Sequence, residues 1–226
     1  MKIAVLGTGM VGQALAGRVA ELGHDVTVGT RDIAATMART EPDGMSNPPY
    51  SAWATARPAV RLATFAEAAE NAELLVNATS GHVSIAALEA AGADNLAGKI
   101  LIDIANPLDF SRGFPPTLFV KDSDSLGEQI QAAFPQLKVV KTLNTLTAAL
   151  MVNPAQLADG DHSVFVSGND ADAKKTVVGL LESFGHTDVI DLGDITTARG
   201  TEMLLPVWLR LMGALNTPMF NFKIVR

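Results

Sequence analysis

The sequence predicts an α/β fold in which a doubly wound, mainly parallel sheet carries a short helical extension at the C-terminus. Short apolar runs without polar alternation recur along the chain, which is typical of strands covered by helices on both faces. Stretches with apolar residues at helical spacing separate most of these runs. Because strands and helices alternate, right-handed crossovers are expected to build a sheet of the Rossmann type.

Six apolar runs are the predicted strands: residues 3–6, 26–28, 74–76, 100–104, 139–140 and 164–166. The first predicted helix begins at Val11, because apolar residues then recur at intervals of four, four and three up to Leu22. Gly23 supplies its C-terminal stop. Similar patterns predict four further helices: residues 65–71, 85–91, 173–184 and 204–215.

Two proline-containing segments interrupt this alternation. Residues 41–58 contain four prolines and are expected to form a surface excursion between the second and third predicted strands. Residues 106–126 form another long connection, which leaves the carboxyl end of the strand at 100–104. Ligands of doubly wound sheets bind at such carboxyl ends, so this connection is expected to border a binding site.

Composition excludes several classes of function. The 226 residues include 24 acidic and 17 basic ones, and the formal charge of −7 gives no general attraction for nucleic acid. The absence of cysteine excludes disulfides, iron-sulfur clusters, thiolate metal sites and thiol nucleophiles. The four histidines are scattered without metal-ligand spacing, so no metal site is expected. No apolar stretch approaches a membrane span or a signal peptide, which predicts a cytoplasmic protein without a membrane partner.

A dinucleotide-binding fingerprint follows the first predicted strand. It reads Gly7-Thr8-Gly9-Met10-Val11-Gly12 and opens the first helix, and this context makes an otherwise weak glycine pattern specific. Gly7 permits the tight turn, Gly9 lets the backbone approach a pyrophosphate, and Gly12 lets helix and strand pack closely. The competing interpretation is a glycine-rich turn that binds no ligand.

The end of the second predicted strand favours NADP over NAD. NAD-specific folds place a carboxylate there for the ribose diol, whereas this chain has Gly29, Thr30 and Arg31. Arg31 can form charge-assisted hydrogen bonds with a 2′-phosphate, and Thr30 can donate its hydroxyl. Two alternatives stay open at this position. Arg31 is solvated while Thr30 caps the next helix, or Asp32 serves a ribose.

These observations predict two segments of unequal size. Residues 1–195 form an NADP-binding Rossmann-type domain, and residues 196–226 form a helical extension packed on the same domain or on a partner subunit. A separate catalytic domain of ordinary size does not fit a chain of 226 residues. The apolar face of the last helix packs against the domain or forms a subunit or ligand interface, and we expect a homodimer.

Four segments carry a family resemblance. They are the glycine fingerprint, residues 22–26 (Leu-Gly-His-Asp-Val), the strand end at 29–31, and residues 140–145 (Val-Lys-Thr-Leu-Asn-Thr). On these features the chain resembles the NADP-dependent oxidoreductases of the coenzyme F420 (8-hydroxy-5-deazaflavin) type. Its N-terminal half is also similar to that of pyrroline-5-carboxylate reductases and transmembrane ferric reductases. Those families carry a larger helical domain or a membrane domain, whereas about 30 residues follow Ile195 here.

The resemblance implies an NADP site along the carboxyl ends of the strands. Thr8, Met10 and Val11 would contact the phosphates, and Thr30 and Arg31 the 2′-phosphate. The residues implied for the ribose and nicotinamide side are Asn77, Ala78, Thr79, Asn106 and Pro107. The residues implied for the co-substrate pocket are Asn144 and Thr145. The segment 41–58 departs from the family pattern.

The resemblance also implies that hydride passes directly between the nicotinamide and a deazaflavin stacked against it. Neither an acid nor a base is then required, so we expect no catalytic residue. The alternative enzyme is an NADPH-dependent reductase of a small imine or carbonyl compound, with His82 as proton donor. A further alternative is a non-catalytic NADPH-sensing module. Asp103, within an apolar run, is expected to have a backbone or hydroxyl partner.

Overall fold

An eight-stranded sheet forms the centre of the computed structural model, which describes residues 1–43 and 47–226. The strands are β1 (Lys2–Leu6), β2 (Asp25–Thr30), β3 (Arg61–Thr64), β4 (Leu74–Asn77), β5 (Ile100–Asp103), β6 (Leu108–Asp109), β7 (Thr117–Leu118), β8 (Lys138–Thr142), β9 (Ser163–Gly168) and β10 (Asp188–Gly193). The sheet has the order β3-β2-β1-β4-β5-β8-β9-β10, while β6 and β7 pair separately as an antiparallel hairpin. Each predicted apolar run coincides with a strand, which confirms the doubly wound sheet.

The sheet is mainly parallel, as predicted. From β3 to β8, neighbouring strands run in the same direction. β9 pairs with β8 in the antiparallel direction, and β10 lies parallel beside β9. The sequence pattern does not predict the edge strands β3 and β10, because both are partly exposed and mix polar with apolar residues.

Helices cover both faces of the sheet. Their bounds are α1 (Met10–Glu21), α2 (Ile33–Ala38), α3 (Tyr50–Thr55), α4 (Phe65–Glu70), α5 (Ser84–Ala91), α6 (Ala93–Leu96), α7 (Leu126–Ala133), α8 (Ala148–Val152), α9 (Ala171–Phe184), α10 (Ala198–Met203) and α11 (Leu205–Leu215). Short 3-10 turns lie at Gly81–Val83, Pro154–Gln156, Ala158–Gly160 and Ile195–Thr197. Thr64 and Glu67 form a capping box at the start of α4, and Gly185 ends α9 in the left-handed conformation. The predicted helices correspond to α1, α4, α5, α9 and α11.

Separate apolar cores lie on the two faces of the sheet. Ile3 and Val5 of β1 belong to the core that α1, α8 and α9 complete. Ala4 and Leu6 belong to the core that α4, α5 and α7 complete. All four side chains are at most 1% exposed. Burial on both faces explains why the strand sequences lack polar alternation.

The segment 41–58 is more structured than predicted. It contains α3, whose Tyr50 is only 3% exposed and packs against Trp53 at a ring-centroid distance of 5.3 Å. The guanidinium of Arg57 lies 4.9 Å from the centre of the Trp53 ring. The prediction of a surface excursion is therefore wrong for residues 50–55, because Tyr50 belongs to the core that α1, α8 and α9 complete and Trp53 packs against that core. Residues 44–46 of the same segment lie outside the described residues.

The connection 106–126 leaves the carboxyl end of β5, as predicted, and carries the β6–β7 hairpin. Further along, α10 and α11 precede a C-terminal tail that returns to β9, where Ser163 N donates to Phe222 O over 2.9 Å. Pro206 lies in the first turn of α11, a position that tolerates proline. The division at residue 195 and the partner subunit stay predictions. Among the described residues, no helix combines the length and apolar character needed to cross a membrane.

Candidate functional site

Four parallel strands present their carboxyl ends side by side at one edge of the sheet. In the registers of β1, β4, β5 and β8, Leu6 lies opposite Asn77, Asn77 opposite Asp103, and Asp103 opposite Lys141. The loops that follow these positions contain most of the predicted site residues. The structure therefore brings segments that are distant in the sequence to one edge, where doubly wound folds bind ligands.

The glycine fingerprint forms a tight loop between β1 and α1. Gly7 has a φ of +121°, and a Cβ there would lie 2.6 Å from the carbonyl oxygen of Ala78. A Cβ on Gly12 would overlap the carbonyl oxygen of Gly7. Gly9 differs, because nothing described lies within 4 Å of the place its Cβ would take. The first and last glycines are thus needed by the fold, whereas the middle one leaves space for a ligand.

The N-terminus of α1 opens onto that space. Gly9 is the N-cap, and within the described residues neither a capping side chain nor an acidic first-turn residue is present. Thr8, Gly9 and Met10 line a cleft of about 480 Å³, whose opposite wall comes from the segment before α3. Met10 is exposed and Val11 is half-buried. Backbone N–H groups at an uncapped helix start attract an anion, so this loop has the chemistry of a phosphate site.

Arg31 is a cation that directly follows β2. It is exposed, and its side chain forms neither an ion pair nor a hydrogen bond with the described residues. Thr30 is 7% exposed, and its hydroxyl lies 2.8 Å from that of Thr36. Asp32 caps α2 by accepting a hydrogen bond from the backbone N–H of Ala35 over 2.8 Å. The cap of this helix is therefore Asp32 and not Thr30, and one oxygen of the Asp32 carboxylate accepts the cap hydrogen bond.

Asn77 is the last residue of β4 and lies at the carboxyl edge of the sheet. Its side chain is fully buried, and its amide donates to Ser84 over 3.0 Å and to Asp103 over 2.8 Å. Its oxygen accepts a hydrogen bond from the Thr79 hydroxyl over 2.7 Å. The Asn77 side chain thus positions Thr79, and its contact with a ribose stays a prediction. Ala78 and Thr79 are half-buried and remain candidates for direct contact.

Two asparagines join the loops that follow β5 and β8. The Asn106 amide donates to the carbonyl oxygen of Asn144 over 2.8 Å, and the Asn144 amide donates to the Asn106 side-chain oxygen over 3.0 Å. Asn144 also donates to the carbonyl oxygen of Thr201 in α10 over 3.1 Å. Asn106 is half-buried, whereas Pro107, Asn144 and Thr145 are buried. The predicted residues meet here, and Asn144 acts as a support for Asn106.

A buried ion cluster lies directly under these loops. The Lys141 ammonium is 2.8 Å from Asp103 and 2.8 Å from Glu202, and it also donates to the carbonyl oxygen of Ala105. The three charged side chains are at most 2% exposed. Burial disfavours the charged amine, but the two carboxylates outweigh burial and raise the pKa of Lys141. Lys141 is therefore a permanent cation with a partner for each of its N–H groups.

Glu202 connects this cluster to the C-terminal region. Its carboxylate accepts the backbone N–H groups of Leu126 at 2.8 Å and Gly127 at 3.0 Å, at the start of α7. Asp103 accepts a hydrogen bond from the backbone N–H of Ala105 at 3.2 Å, as expected, but its charged partner Lys141 is not expected from the sequence. A lysine in an apolar strand is the signal that points to such a pair. Glu202 has no comparable signal, because only the folded chain brings α10 to this edge.

His82 lies on the 3-10 turn after β4. It is exposed, and its ring has no hydrogen-bond partner in the part of the chain that the structure describes. It follows Thr79 by three residues, which places its backbone beside the loop predicted for the nicotinamide side. This accessible imidazole is the feature on which the imine or carbonyl hypothesis rests.

Comparison with known proteins identifies the family. A family model described as "NADP oxidoreductase coenzyme F420-dependent" matches residues 2–107. A solved structure from Arthrobacter sp. FB24, described provisionally as an F420-dependent NADP reductase, is 67% identical. The alignment covers 100% of both chains with a TM-score of 0.95. The chain belongs to the coenzyme F420-dependent NADP oxidoreductase family. This membership confirms the family resemblance that the sequence motifs indicate and the predicted class of enzyme.

The chain spans only part of the length of two curated relatives, 38% of one and 52% of the other. The metalloreductase STEAP3 of Rattus norvegicus is 31% identical over 215 residues, which are 92% of this chain and 38% of the relative. The F420-dependent NADP reductase of Methanocaldococcus jannaschii is 32% identical over 120 residues, which are 52% of each protein. A pyrroline carboxylate reductase from Plasmodium falciparum is 15% identical, with a TM-score of 0.56 over 96% of this chain and 70% of its own, and shares the fold.

Proposed function

We propose that the chain binds NADP(H) along the carboxyl edge of the sheet and exchanges a hydride with the deazaflavin coenzyme F420. The observation that carries this proposal is the loop at the start of α1. There, an uncapped helix N-terminus opens onto free space, and the neighbouring strand β2 is followed by Arg31, a cation without a partner among the described residues. The family description and the Arthrobacter structure support the choice of co-substrate.

The loop between β1 and α1 binds the pyrophosphate in this proposal. Backbone N–H groups of the first helical turn have no partner within the helix, and the helix dipole favours an anion. Thr8, Met10 and Val11 supply the contacts, and Gly9 lets the phosphates approach the backbone because no side chain fills that space. Gly7 and Gly12 shape the loop.

Arg31 and Thr30 recognise the 2′-phosphate of NADP. The exposed guanidinium can form charge-assisted hydrogen bonds with it. One of the Thr30 and Thr36 hydroxyls donates to the other, so the pair keeps one hydroxyl hydrogen for the phosphate. Because NAD lacks this phosphate, these residues favour NADP.

The loops after β4 and β5 hold the nicotinamide side. Ala78, Thr79, Asn106 and Pro107 line it, with Thr79 fixed by Asn77 and Asn106 fixed by Asn144. Bound NADP(H) supplies or accepts a hydride at its nicotinamide ring. The chain orients the two rings and keeps water away, and no residue acts as an acid or a base.

The connection 106–126 offers an apolar surface for the second ring. Its residues Phe110, Phe114 and Phe119 are 58%, 65% and 45% exposed. Large exposed aromatic side chains mark binding surfaces, and they stack well against a planar ring. Phe119 N donates to the carbonyl oxygen of Pro107 over 2.9 Å, so this surface begins at the nicotinamide side.

A reductase of small imine or carbonyl compounds is the second candidate, because the His82 ring is accessible beside the same loop. Such a reaction needs a proton donor at the substrate nitrogen or oxygen, whereas the deazaflavin accepts the hydride on a ring carbon and takes its proton from water on a ring nitrogen. The His82→Ala variant distinguishes the two functions. It is expected to retain turnover with the deazaflavin, and it would lose turnover with an imine if His82 supplied the proton.

The test of the main proposal is anaerobic mixing of the protein with NADPH and oxidised coenzyme F420. Absorbance of NADPH and of the oxidised deazaflavin is expected to fall in equal molar amounts, at a rate proportional to the protein concentration. NADH in place of NADPH serves as the control and is expected to react much more slowly. No turnover with either nucleotide across a range of pH would contradict the proposal.

A further inference from the structure

A second cleft lies next to the proposed nicotinamide side, between the β6–β7 hairpin and α11. Its volume is about 380 Å³, which is within the range of small-molecule sites. Apolar side chains line both walls: Pro115, Pro116 and Leu118 on the hairpin side, and Met203, Pro206 and Leu209 on the helix side. Its volume and apolar lining suit the uncharged part of a small organic ligand.

Two cations, Lys121 and Arg210, border this cleft. Both are exposed, and neither forms an ion pair with any residue that the structure describes. Within the same part of the chain, no carboxylate lines the cleft. The chain as a whole has a formal charge of −7, so an anionic ligand is repelled by most of the surface. At this cleft the local charge has the opposite sign and attracts it.

Both walls of the cleft connect to the proposed site of hydride exchange. On the hairpin side, Phe119 N donates to the carbonyl oxygen of Pro107 over 2.9 Å. On the helix side, Met203 directly follows Glu202 of the buried ion cluster. The backbone N–H of Asp122 donates to the Met203 sulfur over 3.4 Å, which joins the two walls. A ligand whose ring faces the nicotinamide can therefore extend into the cleft.

We infer that this cleft takes an anionic side chain of the redox co-substrate, with Lys121 and Arg210 as its counter-ions. The inference rests on the proposed function, because it places the co-substrate ring against the nicotinamide at Asn106 and Pro107. The apolar walls contact the alkyl part of the side chain, and the cations bind its phosphate or carboxylate groups. The chain then selects a deazaflavin with a charged side chain over the same ring with a neutral one.

The first measurement is binding followed by deazaflavin fluorescence, with the full-length protein and NADP⁺ present. The two probes are coenzyme F420, whose side chain carries phosphate and carboxylate groups, and 8-hydroxy-5-deazariboflavin, which has the same ring and a neutral side chain. Coenzyme F420 is expected to bind about 5- to 10-fold more tightly, as two exposed ion pairs allow. This preference is expected to shrink as salt is added, because salt screens exposed charges.

The second measurement uses the charge-reversal variants Lys121→Glu and Arg210→Glu. Lys175→Glu is the matched control, since Lys175 is exposed on α9 and the change in net charge is the same. Each cleft variant is expected to weaken coenzyme F420 by about 5-fold and to leave the neutral probe unchanged. The control is expected to change neither affinity. All three side chains are exposed, so the variants are expected to fold.

Equal affinities of the wild-type protein for the two probes would overturn the inference. Equal losses for both probes in the cleft variants, or the same loss in Lys175→Glu, would also overturn it. Turnover is scored separately. If wild-type protein prefers coenzyme F420 but transfers no hydride to it, the proposed function fails and the inference about the cleft stands. If both deazaflavins are reduced and both bind with equal affinity, the proposed function stands and the inference fails.

Discussion

The two halves of the sheet's carboxyl edge are built in different ways. After β1 and β2, the edge is open: Gly9 leaves empty space, α1 has no side-chain cap, and Arg31 has no described partner. After β4, β5 and β8, the edge is closed by buried polar groups that bond to one another, with Lys141 at the centre. The open half has groups left for a charged ligand, and the closed half holds backbone loops in place. A binding region and a positioning region therefore lie side by side.

The largest expected effect is on the closed half. Lys141→Met leaves Asp103 and Glu202 as buried carboxylates without their cation, and is expected to lower the free energy of unfolding by about 3–5 kcal/mol. Urea unfolding followed by circular dichroism measures the loss. Lys138→Met is the matched control on the same strand, because Lys138 and Asp170 form a partly exposed pair, and it is expected to change stability little. Equal effects of the two substitutions would show that the buried cluster does not stabilise the edge.

The next effect is on nucleotide choice in the open half. Arg31→Ala removes the cation proposed for the 2′-phosphate, so NADPH is expected to bind about tenfold or more weakly while NADH affinity changes little. Isothermal titration calorimetry with NADPH and with NADH measures the two affinities. Thermal stability is expected to stay at the wild-type level, because Arg31 has no partner to lose among the described residues. An equal loss for both nucleotides would refute recognition of the 2′-phosphate.

Two glycine substitutions separate folding from binding within the same loop. Gly12→Ala places a Cβ against the Gly7 carbonyl and is expected to cost about 1–3 kcal/mol of stability. Gly9→Ala meets no described atom within 4 Å and is expected to melt near the wild-type temperature. Its Cβ nevertheless enters the space proposed for the pyrophosphate, so NADPH is expected to bind more weakly. Thermal melting and NADPH fluorescence titration on both variants decide the matter, and unchanged NADPH affinity in Gly9→Ala contradicts the proposed position of the phosphates.

The smallest effect concerns Asp32. Asn is as good an N-cap as Asp, so Asp32→Asn is expected to keep α2 and to change the free energy of unfolding by only a few tenths of a kcal/mol. NADPH affinity is expected to stay the same or to rise slightly, because a negative charge near the 2′-phosphate is removed. Thermal melting and NADPH titration measure these small changes. A large loss of nucleotide affinity would instead support the alternative in which Asp32 binds a ribose.

The sequence predicts the open half better than the closed half for a physical reason. Gly7 has a positive φ and Gly12 packs against the Gly7 carbonyl, and both constraints arise within a few residues of the loop. Arg31 directly follows a buried strand, so local sequence suffices for this half. The closed half depends on contacts between distant segments. Glu202 reaches Lys141 and the start of α7 only because α10 packs at this edge, and no local pattern predicts that packing.

The same distinction accounts for other contacts that the sequence does not predict. The hydrogen bond from the Asn77 amide to Asp103 crosses the register of β4 and β5, which a single segment does not reveal. Tyr50 lies in a proline-containing segment that indicates a surface loop, yet its ring packs against Trp53 and into the core. The edge strands β3 and β10 are not predicted, because they contain polar residues and the prediction of strands relied on apolar runs.

The central claim is direct exchange of hydride between the nicotinamide and a deazaflavin on this edge, and isotope transfer tests it most directly. NADPH carrying deuterium at the transferred position of its nicotinamide is incubated with the protein and oxidised coenzyme F420, and the reduced deazaflavin is analysed by mass spectrometry. Direct exchange predicts that essentially every reduced deazaflavin carries one deuterium on carbon, in ordinary water. Reduced deazaflavin that instead carries hydrogen from the solvent would contradict the account.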